Sequence, residues 1–130
     1  MAQSGHLTTL DVEECRLLLS TRTFGRVGWN SASGVQILPV SYGLVDDVIV
    51  FRTQAGSPLA QLVQPVEVSF QVDDLDGDTA TGWSILVHGT SGAPVAELPA
   101  DMPDPWAPGD RSIVIGIAPD HYAGRAIAAG

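Results

Sequence analysis

The 130-residue chain contains no lysine; its six basic residues are all arginine, set against fifteen acidic ones for a net charge of −9. Without lysine there is no Schiff-base chemistry on a side-chain amine and no Walker A loop. The acidic balance leaves nothing to offset repulsion along a nucleic acid or an anionic membrane, so neither is an expected partner. An anion binds only where several arginines or oriented backbone dipoles converge. Cysteine is scarce as well. The lone Cys15 excludes an internal disulfide and any CxxC motif, and it suits a reducing compartment. It lies in the helix-like run "DVEECRLLLS", where a small buried hydrophobe is expected. No apolar run nears the ~20 residues that span a bilayer, and "MAQSGHLTT" has neither a basic nor an apolar leader region. A cytoplasmic location is the expectation. His6, His88 and His121 show no metal-ligand spacing, so no metal site is expected, and no serine sits in a G-x-S-x-G elbow.

What the chain does have is the composition of an ordinary globular protein, 45% apolar, at a length that fits one domain over 1–130. Asp11 followed by Glu14 signals a capping box ahead of a helix over 12–21. Strands are expected over 25–29, 35–44, 48–53, 66–72, 82–90 and 111–119, with the second and third forming a hairpin. Pro39 cannot donate to a ladder, which puts its strand at an edge or a kink there. Val66, Val68, Phe70 and Val72 alternate with polar residues, the pattern of a half-buried strand. "DDLDGD" (73–78) reads as an acidic loop, and the proline-rich 93–110 as a connection with at most one helical turn. The tail from His121 adds at most a short strand. Six strands, two short helices and connections too brief for parallel crossovers predict a mainly β antiparallel barrel or sandwich.

One stretch, "VFRTQAGSPLAQL" (50–62), carries possible chemistry. Arg52 and Thr53 end a strand; Ser57 is placed as an N-cap and Pro58 suits the first position of a short helix. A helix start presents free N–H groups and partial positive charge, and Arg52 adds a bidentate fork, so the segment has the parts of a phosphate seat. The competing reading is a capped surface helix with Arg52 paired to Asp46 or Asp47 across the hairpin. Trp29, Trp83 and Trp106 read as core or interface anchors, and His88 as a hydrogen-bonded strand residue.

In order, "GRVGW", "LPVSYGL", "VIVFRTQAGSPLAQL", "VSFQVDD", "GWSILVHGT" and "PWAPGDRSIVIGIAP" resemble the pyridoxamine 5′-phosphate oxidase-like flavin-binding proteins, over residues 10–127. The resemblance implies a six-stranded antiparallel split β-barrel with short flanking helices, a homodimer, and an FMN site at the subunit interface. It implies that Leu38, Pro39, Val40 and Ser41 lie along the flavin ring. Arg52, Thr53 and Ser57 would hold the phosphate, and Trp83 and Ser84 of a partner subunit would close the site. The family commonly has a basic residue where this chain has Pro58. Flavin-dependent oxidoreduction of a small substrate is the activity the resemblance implies. The alternative is a binding or regulatory module, cofactor-free or holding a haem, with His88 as its ligand, or a deazaflavin.

Overall fold

The computed structural model describes residues 6–94 and 112–128. Its elements are β1 (His6–Leu10), α1 (Val12–Ser20), β2 (Phe24–Ser31), β3 (Gly34–Val45) and β4 (Val48–Thr53). A 3-10 helix (Pro58–Val63), β5 (Glu67–Asp76), β6 (Thr81–Gly92) and β7 (Ile113–Ala128) follow. The strands run in the order β1-β7-β4-β3-β2-β5-β6, all antiparallel, and β6 pairs back onto β7. Strands β2 to β7 thus close a six-stranded split barrel, and β1 is a seventh strand added beside the C-terminal half of β7.

Local chemistry sets this order. Asp11 Oδ1 accepts the Glu14 N–H at 2.8 Å, which starts α1 at the expected cap. Asp46 and Asp47 both take the left-handed conformation (φ 49° and 69°) that a two-residue hairpin turn requires, and aspartate tolerates it better than most residues. That turn joins β3 to β4 with Val45 opposite Val48. Two expectations need correction. Strand β5 continues through Asp73–Asp76, because the register with β6 holds to the Asp76–Thr81 pair; the turn is confined to 77–80. Strand β7 also runs on through the histidine-containing tail, to Ala128. The expected connection over 93–110 lies outside the described residues from position 95.

The alternation in β2, β3 and β5 sends Val27, Trp29, Val40, Tyr42, Val68, Phe70 and Val72 inward, where they meet Ile49, Phe51, Ile85, Val87, Ile115 and Ile117. Helix α1 plugs one end with Cys15 and Leu19. Burial, with Asp11 and Glu14 nearby, pushes the Cys15 thiol up, so it stays an unreactive thiol in the core. Tyr42 packs edge-on against Phe70 and donates its hydroxyl to the Leu19 carbonyl, tying the barrel to the helix. Tyr42→Phe keeps the ring and removes that bond, so a loss of about 1 kcal/mol is expected. A lower urea midpoint with an unchanged slope is the check. Burial raises the Tyr42 phenol well above its ordinary value, with Arg22 opposing. The contribution is therefore complete below about pH 10 and is lost as pH rises beyond it.

Candidate functional site

Strand β3 pairs with β2 over Gly34–Ser41 and with β4 over Tyr42–Val45. Among the described residues, the stretch before Tyr42 has no strand on its other edge. Tyr42 N–H donates to Thr23 C=O on the β2 side, so the odd-numbered residues of β3 turn their backbone groups the other way. Pro39 accordingly loses no ladder bond, which is why a proline is tolerated within this strand. Ser41 turns its backbone away from β2, at the point where the β3–β4 ladder ends.

One step past the Tyr42–Phe51 pair, Ser41 and Arg52 lie on the same outward face, opposite to Val40, Tyr42 and Phe51. Ser41 Oγ is buried without a hydrogen-bond partner among the described residues, and Arg52 Nε is buried beside the same strand pair. Thr53 is buried, and its hydroxyl meets Ser57 Oγ at 2.6 Å. Ser57 does occupy the N-cap position with extended backbone, but its side chain makes no cap bond. The helix it precedes is 3-10, with Pro58 at its start. Asp47, offered above as a partner for Arg52, instead bonds Arg16 at 3.5 Å.

Leu38 is half-buried, Pro39 exposed and Val40 in the core. Trp83 packs against the barrel end under the Arg22 guanidinium, which also pairs with Asp74. Ser84 faces outward and accepts from Gln71 Nε2 at 3.3 Å. Strand β6 stands three strands from β3 around the barrel, so one chain does not bring Trp83 and Ser84 together with 38–41. Sequence reasoning missed Gln71 and did not place Arg26 beside it. Both line a hollow of about 180 Å³ with Phe24, Pro39 and Asp73, on the outer face of β3, β2 and β5. Their signal was the polar half of each strand's alternation: Arg26 pairs across to Pro39 on one side and Gln71 on the other. Among the described residues, no three His, Cys, Asp or Glu side chains are placed to hold a metal ion, and no helix is long and apolar enough to cross a membrane.

A closed antiparallel barrel of six strands, split where the β3–β4 ladder ends and flanked by one helix and a 3-10 turn, defines the class as a split β-barrel protein. The family model for pyridoxamine 5′-phosphate oxidase matches residues 11–126. The chain belongs to that family. It is 30% identical over 129 residues to the uncharacterised protein Rv0080 of Mycobacterium tuberculosis, covering 92% of this chain and 85% of that one. A Corynebacterium glutamicum structure, provisionally named pyridoxamine 5′-phosphate oxidase, superposes with a TM-score of 0.78 at 25% identity, covering 100% of this chain and 98% of that one. A Mycobacterium smegmatis structure described as an FAD-binding protein gives 0.72 at 23% identity, covering 93% and 98%.

Proposed function

We propose that the protein is a homodimeric flavin-binding protein, with FMN as the cofactor, and that it acts as an oxidoreductase on a small substrate. The observation that carries this reading is the buried Ser41 hydroxyl, unpartnered among the described residues, on the face it shares with Arg52 where the β3–β4 ladder ends. A buried polar atom without a partner is costly, and a ligand phosphate or ring carbonyl supplies what Ser41 lacks. The family and the flavin-named neighbour support the ligand class. When bound, the flavin supplies hydride transfer at its ring. The chain's own part is to hold it. Arg52 and Ser41 bind the acidic end, and the backbone of Leu38–Ser41 supports the ring.

A second copy follows from the distance between the two halves of the expected site. A ligand touching both β3 and the Trp83–Ser84 segment needs the latter from a partner, and symmetric dimers are the commonest oligomer. Val35 and Ile37, 72% and 65% exposed on the outer face of β3, are apolar surface that such a partner would cover. A cofactor-free module is the second reading, favoured by the Ser57 hydroxyl already satisfied by Thr53 and by Pro58 at the helix start. The test is to titrate the protein with FMN and with FAD, following flavin fluorescence and mass by light scattering. Saturation at one flavin per chain in a dimer is expected. No saturation with either flavin sinks the first reading.

A further inference from the structure

Histidines 88 and 121 lie 33 positions apart, yet closure of the barrel makes them direct partners across the β6–β7 seam. Their rings stack, with centroids 6.2 Å apart and planes 16° from parallel. Both are exposed. Ser69 Oγ sits 3.2 Å from His88 Nδ1, which leaves Nε2 as the nitrogen facing outward. In the tautomer where Nδ1–H donates to that hydroxyl, Nε2 carries the lone pair and has the outer-shell support typical of a metal-ligating imidazole.

The surroundings favour a cation. His88 lines a groove of about 430 Å³ together with the carboxylates of Glu67 and Asp120 and the polar side chains of Ser69 and Asn30. The register pairs His88 with His121 and Gly89 with Pro119, leaving Asp120 as an extra residue in β7 at this point. Such bulges re-aim side chains and are enriched beside functional sites. No arginine lines the groove, and the net charge of −9 adds a long-range attraction for positive ions.

We propose that His88 and His121 form a two-imidazole site for a divalent late first-row transition ion, with water completing its coordination. Facing residues of an antiparallel pair have Cβ atoms about 4.5–5.5 Å apart, so modest side-chain rotation brings the two Nε2 atoms within reach of one ion. Imidazole nitrogen suits zinc, nickel and copper, while magnesium and calcium prefer oxygen ligands. The ion would clip β6 to β7 beside the bulge and stabilise the folded barrel in proportion to its occupancy. The site uses none of the residues proposed to hold the flavin, while its groove is also lined by Val35 and Ile37, which the proposed partner subunit would cover.

The experiment is calorimetric titration of the full chain with ZnCl₂ and NiCl₂, paired with thermal unfolding at matched ion concentrations. One ion per chain is expected, with an upward shift of the unfolding temperature. His88→Gln and His121→Gln, at exposed positions that preserve folding, should each lower affinity at least about tenfold, as loss of one of two ligands demands. His6→Gln should leave it unchanged. Absence of binding overturns the proposal, and so does a His121→Gln variant that binds like the parent.

Discussion

Arg52→Ala is expected to strip the protein of flavin during gel filtration and to weaken FMN affinity at least about a hundredfold. The estimate rests on the charge it removes. A hydrogen bond to an ionised group contributes about 1.5–3 kcal/mol, and a guanidinium can make two to one phosphate. Each 1.4 kcal/mol is about a factor of ten in affinity. Little else nearby replaces it: there is no lysine in the chain, Ser57 is engaged with Thr53, and Pro58 contributes no N–H. Arg52→Lys should recover part of the affinity, since it restores charge without the fork. Fluorescence titration of the three proteins is the measurement. An Arg52→Ala variant that binds FMN like the parent would mean that the phosphate lies elsewhere. The reciprocal change, Pro58→Lys, adds one charge-assisted bond at the position where the family resemblance implies a basic residue. It should tighten binding about ten- to a hundredfold.

The elements that the sequence announced are those in which one local signal sufficed. Strand β4 was legible to the residue, because an apolar run ends at Arg52-Thr53 and its hairpin turn is two aspartates. Strand β5 showed its buried face in Val68, Phe70 and Val72. Strand β1 was not legible: His6–Leu10 is exposed at four of five positions, so no buried face patterns it, and its pairing to β7 defines it. Asp73–Asp76 looked like a loop by composition and is a strand by register, with its exposed acids tolerated because β6 continues beside it. The same limit applied to the site. Arg52, Thr53 and Ser57 are close in sequence and were found together. Arg26, Gln71, Ser84, His88 and His121 come near one another or near β3 through ladder registers that no short-range spacing encodes. Ser57 shows the converse. Its N-cap position was legible, but the nearer hydroxyl of Thr53 took its side chain.

Gly89→Ala should be a strongly destabilising single-methyl change in the barrel seam. Gly89 opposes Pro119 just past the register shift, and a Cβ built there would stand 2.4 Å from the Ala118 carbonyl oxygen and 3.0 Å from Ile117 Cγ2. The first obstacle is backbone, which cannot swing aside as a flexible side chain would. Relief requires β6 and β7 to part where they close the barrel. A cost of about 3 kcal/mol, the upper end of ordinary overpacking, is expected. For a chain of this length that lowers the unfolding temperature by roughly 10 °C. Gly28→Ala is the matched control. It lies on the outer face of β2, away from the seam, and its nearest obstacle is 3.5 Å away, so the same methyl should change stability by no more than about 0.5 kcal/mol. The effect should also reach the ligand. Strand β7 pairs with β4 through Arg52–Val114 and Thr53–Ile113, while its other edge holds β6 through Ser84–Arg125. A seam forced open at Gly89 therefore loosens the frame behind the proposed phosphate seat. Gly89→Ala should lose both stability and FMN affinity, Gly28→Ala neither. Arg52→Ala, by contrast, should lose affinity more than stability. If Gly89→Ala melts with the parent, the strands of the seam are not held at this separation.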